Sequence, residues 1–296
     1  MVRRGTYSIV ARDPSTGELG AAVQSHWFSV GSIVTWARPG VGAVATQSIA
    51  EPAYGPRLLD ALDAGSAPQA ALGALLAEDE AAGYRQVAVI APGGPPAVHT
   101  GAGCIAFAGH VAAADFTVQA NMMASDRVWP EMARAFEAAT GTLARRMLAA
   151  LRAAEAAGGD ARGKQSSAMV VVPAAGEPWR ATVDLRVEDH PEPLDELERL
   201  LVLRDAYDLA IEGDDLTGEG RHAEAGDRYR AAAALAPGNH ELLFWAGLAE
   251  FAHGEREAGL AQVRRAIELQ PGWRDLLRRL APDVAPSAAA VAQALG

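Results

Sequence analysis

Polar side chains that can do chemistry lie at the ends of predicted strands, beginning with the pair Ser25-His26. Ser25 is the last residue of the apolar run 19–25, and His26 follows it. A second hydroxyl, that of Thr6, opens the β-branched run 6–12 after a glycine. A Ser/His pair suggests a nucleophile with its general base. However, adjacent residues of an extended chain point to opposite faces of a sheet. We therefore predict that Ser25 lines a pocket near Thr6. His26 is a candidate substrate-binding residue, with a partly buried loop position as the alternative.

Three more polar residues lie where predicted strands end. Gln47 and Ser48 follow the apolar run 41–46, and Asn121 closes the run 116–121. At such positions an amide side chain can contact a substrate, or it can satisfy backbone groups that are left unpaired at the end of a strand. Both interpretations stay open for Gln47 and Asn121, and Ser48 joins the candidate substrate-binding residues.

The segment 160–167 combines glycine with two cations just before a predicted strand. An arginine can hold a carboxylate through two parallel hydrogen bonds. We predict that Arg162, together with Gln165, binds an anionic group of a substrate. The segment lacks the spacing of a phosphate-binding P-loop, so nucleotide binding is not indicated. His99, in the predicted strand 97–100, is a further candidate binding residue, with a structural hydrogen-bond donor as the alternative.

Composition excludes several classes of function. The net charge of −11 argues against nonspecific nucleic-acid binding, which needs Lys and Arg to displace counterions from phosphates. The seven histidines show no metal-ligand spacing and Cys104 is the only cysteine, so no metal, cofactor or disulfide is predicted. No apolar run reaches the roughly 20 residues of a membrane span, and the arginines at positions 3 and 4 precede no apolar signal segment. We therefore predict a cytoplasmic protein.

The elements that must position these residues can be predicted along the chain. A Pro/Gly turn over 13–17 joins the first two runs into a β-hairpin. Gly and Pro interrupt a helix over 56–76, with Ser66 as the N-cap of its second part. Further strands are predicted over residues 32–37, 41–46, 87–91, 97–100, 104–109, 116–121, 167–172 and 181–187, and further helices over 129–139 and 143–157. Strands and helices in blocks, without strict βαβ alternation, favour an α+β fold.

An internal repeat occupies the C-terminal third of the chain. Small residues and prolines recur 34 positions apart, in the pairs Gly213/Gly247, Gly220/Gly254, Ala225/Gly259, Ala232/Ala266 and Pro237/Pro271. This period and pattern are typical of tetratricopeptide (TPR) repeats, in which small residues let paired helices approach closely. We predict a first domain over 1–203 and a small all-α, TPR-like domain over 204–296, with units at 206–239 and 240–273. Two units are fewer than usual and need capping by neighbouring structure.

The first domain resembles the DUF1028 family of unknown function. The resemblance covers about residues 5–200 and rests on the opening hairpin and on the segments VGAVATQS (41–48), HTG (99–101), QANMM (119–123), RGKQS (162–166) and DLRVEDHP (184–191). It implies membership of the N-terminal nucleophile (Ntn) hydrolase superfamily. It therefore also implies a four-layer αββα sandwich, in which two antiparallel sheets pack face to face between helices.

The resemblance further implies a role for Thr6. In Ntn hydrolases a Thr, Ser or Cys that is exposed as the chain's first residue attacks an amide carbonyl, and its own α-amine, with an ordinary pKa of about 8, accepts the proton. Penicillin-acylase-like relatives imply an amide side chain in the oxyanion hole, here Asn121 or, as second choice, Gln47. One such donor is worth a few kcal/mol of transition-state stabilisation.

This chain departs from the family pattern at its start. Many members begin Met-Thr, whereas five residues precede Thr6 here. Exposure of Thr6 requires cleavage of the Gly5–Thr6 bond or a start of translation further downstream. Proteasome-like enzymes also place a lysine beside the nucleophile, and the only lysine, Lys164, lies in a polar turn. The alternative is that Thr6 is an ordinary β-branched residue that opens a strand.

Three functions are consistent with the sequence. The first is a small-molecule amidohydrolase with Thr6 as nucleophile. The second is an Ntn-like protein that binds a small molecule, or converts it without hydrolysis, in the same cleft and without an N-terminal nucleophile. The third is an interaction protein whose TPR-like repeats dock a partner or form a homodimer. We expect a small-molecule substrate or ligand and a homodimer, with neither nucleic acid nor membrane as a partner.

Overall fold

The computed structural model describes residues 5–296, so the arginines at positions 3 and 4 lie outside the described residues. The contacts within the chain divide it into two units, one ending at Glu198 and the other comprising Arg199–Gly296. The point of division falls inside one long helix, α5 (Pro193–Gly218). Within residues 5–296, no helix combines the length and the apolarity that a membrane crossing requires.

Six antiparallel strands of the first unit form sheet A, in the order β10-β9-β2-β1-β8-β7. The predicted hairpin occupies its centre, and Gly17, at φ +74°, permits the turn that joins the two strands. The strands are β1 (Thr6–Arg12), β2 (Leu19–Ser25), β7 (Gly109–Ala112), β8 (Phe116–Asn121), β9 (Ser166–Val172) and β10 (Val183–Val187).

Four further antiparallel strands form sheet B, in the order β3-β4-β5-β6. They are β3 (Thr35–Arg38), β4 (Gly42–Ser48), β5 (Arg85–Ile90) and β6 (Ala97–Thr100). Strand β4 contacts β1 and β2 of sheet A. Successive side chains of a strand point to opposite faces of its sheet, so every second residue points between the two sheets. The residues buried there include Val10, Val23, Ala45, Ala88 and Ile90.

Two pairs of helices pack against the sheets. Helices α1 (Tyr54–Asp63) and α2 (Pro68–Glu78) bury an apolar cluster against sheet B. Helices α3 (Val128–Ala138) and α4 (Leu143–Ala156) contact strands of sheet A, where Phe136 packs on Phe116 with ring centroids 4.7 Å apart. The first unit is therefore a mixed fold in which two sheets lie together and helices contact strands of each.

Two predictions of local structure were wrong. The second part of the interrupted helix begins after Ala67, with Pro68 as its first residue, and Ser66 makes no side-chain cap. A proline in the first turn needs no hydrogen-bond partner for its nitrogen, so the helix starts without a polar cap. Residues 104–108 are not a strand but an irregular segment with bends, and of the predicted strand only Gly109 belongs to one, β7. Three glycines fall within 101–109, and these favour turns over a regular ladder.

The second unit is helical. After α5 come α6 (His222–Leu235), α7 (His240–Ala252), α8 (Arg256–Leu269), α9 (Gly272–Leu277) and α10 (Ala288–Leu295). Gly220 and Gly254 follow the C-terminal ends of α5 and α7. Their φ angles are +76° and +95°, a conformation that favours glycine. Helices α7 and α8 approach closely at Gly247 and Gly259, where an added Cβ on either would lie 2.5–2.7 Å from the other's carbonyl oxygen.

Candidate functional site

The strand register brings three of the predicted site residues into one row. Thr6 of β1 lies opposite Ser25 of β2 and opposite Asn121 of β8. Alternate residues of β1 face sheet B, and from that sheet Gln47 of β4 reaches the backbone of Thr6. All four side chains belong to residues that are at most 1% exposed. The four side chains therefore form a buried polar cluster at one end of the space between the sheets.

The carbonyl oxygen of Gly5 is one centre of this cluster. The Thr6 hydroxyl lies 2.6 Å from it, the Ser25 hydroxyl donates to it through a short bond, and Nη2 of Arg162 donates to it at 2.7 Å. The Thr6 and Ser25 hydroxyl oxygens are also 3.0 Å apart. Two donors on this carbonyl, the Ser25 hydroxyl and the Arg162 guanidinium, withdraw electron density from its carbon and make it more open to attack.

Asp160 holds Arg162 in this position. Its Oδ2 accepts from Arg162 Nη2 at 2.7 Å and from the backbone N–H of His26 at 3.0 Å, and its Oδ1 accepts from the N–H and Nε of Arg162 at 2.9 and 3.1 Å. The Asp160 side chain is completely buried, and its backbone bridges to Met123 beyond the end of β8. A buried carboxylate is stable only when it is paired and fully hydrogen-bonded, and this one meets both conditions.

The carbonyl oxygen of Thr6 is held by two amides. Gln47 Nε2 lies 3.2 Å from it and Asn121 Nδ2 lies 3.4 Å from it. Both amides also donate to Oε1 of Gln86, at 2.7 and 3.1 Å respectively. Gln86 in turn donates from Nε2 to Thr100 Oγ1 and to the carbonyl of Ala120, both at 2.9 Å. Gln86 thus fixes the orientation of the two amides, because turning either would bring two oxygens together.

The two amides and the two donors on Gly5 therefore serve different carbonyls. Asn121 and Gln47 bind the carbonyl of Thr6, whereas Ser25 and Arg162 bind the carbonyl that Thr6 is expected to attack. The oxyanion role that the resemblance implies for Asn121 and Gln47 stays a prediction. Asn121 Oδ1 is buried without a hydrogen-bond partner in the described chain, which is unusual for a buried acceptor.

Four other predicted site residues have their side chains outside this cluster. Ser48 ends β4 at φ +73°, and its hydroxyl neighbours the thiol of Cys104, a residue whose pKa is raised by burial. His99 lies 2.9 Å from the carbonyl of Ala82, so its Nε2 must carry the proton. His26 is exposed and contributes its backbone N–H. Gln165 donates to Asp189 near the surface, while its backbone N–H donates to the carbonyl of Ser25.

The single lysine is engaged elsewhere. Lys164 forms ion pairs with Glu192, through a very short contact, and with Glu155 at 3.9 Å. The bond to Glu192 raises the pKa of Lys164. Glu155 also accepts from the hydroxyl of Tyr7, whose pKa burial raises well above its usual value. Within residues 5–296 no three His, Cys, Asp or Glu side chains converge as a metal site would require.

Asp160 and Gln86 are the two residues of the site that sequence reasoning missed. Asp160 stands two positions before Arg162, in the segment 160–167 whose cations predict a site for an anionic group. The sequence does not show that Asp160 is buried. Gln86 stands before Val87 in a run that reads as apolar. The available signal was alternation, since Gln86, Ala88 and Ile90 share the face of β5 that turns toward sheet A.

The comparisons with known proteins agree on one family. The model of the "Family of unknown function (DUF1028)" matches residues 6–197. The crystal structure of protein SPO2555 from Silicibacter pomeroyi, assigned in its description to DUF1028, is 34% identical in sequence and has a TM-score of 0.61. The similarity covers 67% of this chain and 88% of that one. No curated protein is significantly similar in sequence. The matched region includes the hairpin that carries Thr6 and the strands that carry Gln47 and Asn121. The chain belongs to the DUF1028 family.

Proposed function

We propose that the first unit is an N-terminal nucleophile amidohydrolase that frees Thr6 by cleaving its own Gly5–Thr6 bond. The observation that carries the proposal is the buried Gly5 carbonyl, which the Thr6 hydroxyl contacts at 2.6 Å and which Ser25 and Arg162 also bind. Two antiparallel sheets between pairs of helices support the four-layer αββα sandwich of that superfamily as the fold.

Self-cleavage uses groups that are already in contact. The Thr6 oxygen attacks the Gly5 carbonyl carbon, the C–N bond breaks, and the hydroxyl proton ends on the released Thr6 nitrogen. An ester then joins Gly5 to Thr6 Oγ1, and water hydrolyses it to a carboxylate and the free hydroxyl. Ser25 can accept a hydrogen bond from Thr6 while it donates one to the Gly5 carbonyl, so it turns the lone pairs of the nucleophile toward the carbon.

The freed enzyme repeats the same chemistry on a substrate amide. The Thr6 α-amine, with an ordinary pKa of about 8, accepts the hydroxyl proton and passes it to the leaving amine. Arg162 and Ser25 stabilise the oxyanion, a contribution of about 3–4 kcal/mol for a single well-placed donor. Gln47 and Asn121, oriented by Gln86, hold the Thr6 carbonyl and so keep the nucleophile in place.

Intact-protein mass spectrometry of the untagged chain tests the proposal. The expected species begins at Thr6, and Thr6→Ser gives the same cleavage because it keeps a hydroxyl. Thr6→Ala removes the nucleophile and should leave the chain uncut. A wild-type chain that keeps its first five residues, and an amide screen in which Thr6→Ala is as active as wild type, would contradict the proposal.

For the second unit, we propose two TPR-like repeats that form an interaction surface. The 34-residue spacing supports this assignment, as does the close approach of α7 and α8 at the repeat-related small residues Gly247 and Gly259. The expected partner is a second copy of the chain. Light scattering tests this: a particle of twice the 30.8 kDa chain mass is expected, and a monomer at micromolar concentration would contradict it.

A further inference from the structure

The Asp160 carboxylate forms a wall beside the α-carbon of Gly5. A Cβ added to Gly5 would lie 2.7 Å from Oδ1 of Asp160 and 2.8 Å from its Cγ and Oδ2. Side-chain carbons essentially never approach other heavy atoms so closely, since carbon contacts have their optimum at about 3.5–4.0 Å. The residue at position 5 therefore has no space for an L side chain unless Asp160 moves.

Several contacts prevent that movement. Each carboxylate oxygen of Asp160 accepts two hydrogen bonds. Of these four bonds, three come from Arg162 and one from the backbone N–H of His26. The side chain is fully buried, so a rotated carboxylate would lose these donors without gaining water. Leaving a buried charge unpaired is strongly destabilising. Asp160 thus behaves as a rigid wall rather than as the flexible end of a surface side chain.

We propose that Asp160 restricts the substrates of this site to amides whose acyl group is unbranched next to the carbonyl, with N-acylglycyl amides as the preferred class. This inference rests on the proposed function. The ester formed during self-cleavage carries the Gly5 acyl group on Thr6 Oγ1. A substrate gives an ester of the same kind on the same atom, so its acyl group meets the wall that Gly5 meets. Peptides and N-acyl amides are therefore cut on the carbonyl side of glycine.

The first test uses the chain's own bond. Gly5→Ala should slow cleavage at position 5 by about 10- to 200-fold, the range found for one extra methylene group in a close-fitting site. Gly83→Ala is the matched control, since an added Cβ at Gly83 contacts nothing within 4 Å. On the Asp160→Ser background the smaller serine leaves space for the added methyl group. The double variant Gly5→Ala/Asp160→Ser should therefore be cleaved about as fast as Asp160→Ser alone. Equal cleavage of wild type and Gly5→Ala would overturn the inference.

The second test uses processed enzyme and added substrates. N-acetylglycyl p-nitroanilide should have a kcat/KM about 10- to 200-fold above that of its N-acetyl-L-alanyl counterpart. Asp160→Asn keeps the wall and should keep the preference, whereas Asp160→Ser should raise the alanyl-to-glycyl ratio at least ~10-fold even if both rates fall. Normal self-cleavage with equal glycyl and alanyl rates would overturn the acyl restriction alone. Failure of wild-type cleavage and of all hydrolysis would overturn the proposed function and this inference with it.

Discussion

Ser25 has two hydrogen-bonding tasks that a single hydroxyl can perform together. It donates to the carbonyl of Gly5 and lies 3.0 Å from the hydroxyl of Thr6, from which it can accept. Its position depends on the pairing of β1 with β2, which sets Ser25 directly opposite Thr6. The adjacent His26, which the sequence made a candidate substrate-binding residue, is exposed.

Ser25→Ala should slow cleavage at Gly5–Thr6 by about 10²- to 10³-fold, because it removes one donor from the developing oxyanion. The measurement is the time course of intact mass after purification. Ser167→Ala is a matched control, since Ser167 is also a buried strand serine whose hydroxyl donates to a backbone carbonyl, that of Pro193. Cleavage at the wild-type rate in Ser25→Ala would remove Ser25 from the mechanism.

Gln86→Leu should destabilise the protein by roughly 3 kcal/mol. The leucine has a similar volume but removes Oε1, which accepts one N–H from each of Gln47 and Asn121, and each buried unpaired group costs about 1–3 kcal/mol. Urea denaturation measures the change in the free energy of unfolding. The control Gln165→Leu alters a side chain near the surface and should shift stability by less than about 0.5 kcal/mol. A loss no larger than in the control would show that the amide cluster does not depend on Gln86.

The site residues that sequence could predict are those that end strands. Thr6, Ser25, Gln47 and Asn121 all lie at strand ends, and the register of sheet A joins three of them in one row. Asp160 escaped prediction because a carboxylate in a polar turn is usually exposed, and only the tertiary structure shows that it is buried beneath Arg162. For His99, too, only the tertiary structure shows that the side chain lies outside the cluster, on β6 opposite Val87.

At the scale of elements, a partly buried ion pair ties α1 and α2 to sheet B. Asp79, which follows the last residue of α2, accepts from Arg85 of β5 at 2.7 Å and from the hydroxyl of Tyr54 in α1 at 3.0 Å. Arg85 also donates to the carbonyl of Ile49. The bond from Arg85 lowers the pKa of Asp79 to about 2, and burial raises the pKa of Tyr54 to about 12.

This pair predicts an acid-sensitive contribution to stability. Because the folded-state pKa of Asp79 lies below the ordinary aspartate value of 3.8, the contribution is present at neutral pH and is lost as pH falls from about 4 to about 2. Urea denaturation at pH 7 and pH 3 should show a smaller loss of stability for Asp79→Asn than for wild type. Asp60→Asn, which removes an exposed partner of Arg38, should behave like wild type. An identical acid loss in wild type and Asp79→Asn would contradict the assignment.

The crossing of α7 and α8 predicts a second effect at this scale. Gly247→Ala places a methyl group 2.7 Å from the carbonyl of Gly259 and should destabilise the protein by about 1–3 kcal/mol through overpacking. Gly218→Ala, at the end of α5, adds a methyl group with no neighbour within 4 Å and should be neutral or slightly stabilising. Thermal unfolding of the two variants makes the comparison. A neutral Gly247→Ala would show that the helices can move apart at little cost.

Elements with a clear hydrophobic period were predicted well, and those that depend on turns were not. Strands 6–12, 19–25, 97–100 and 116–121 have the predicted bounds. The segment 104–109 contains Cys104, Ile105 and Phe107, which suggest a strand, but it turns back so that the carbonyls of Ile105 and Phe107 accept from Met122 and Met123. Such pairing with residues beyond a strand end leaves no trace in the local sequence.

At the scale of the molecule, every residue that contacts the Gly5 or Thr6 carbonyl lies within the first unit. We therefore expect cleavage at Gly5–Thr6 to be indifferent to changes in the helical unit. The full-length variant Gly247→Ala should process at the wild-type rate below its unfolding transition, measured by intact mass. Impaired processing in this folded variant would mean that the helical unit contributes to the reaction.

Because Lys164 is the single lysine, the charge of the amine that the proposed cleavage would free at Thr6 can be measured. With one lysine, the chain has only two primary amines, those of Lys164 and of its first residue. Reductive methylation with ¹³C-formaldehyde would therefore yield two sets of methyl signals in an NMR spectrum. The Lys164 signal should titrate above the usual lysine range because Glu192 stabilises its charge. In the processed protein the other signal belongs to Thr6, and its midpoint is a direct measure of the basicity on which an N-terminal nucleophile depends.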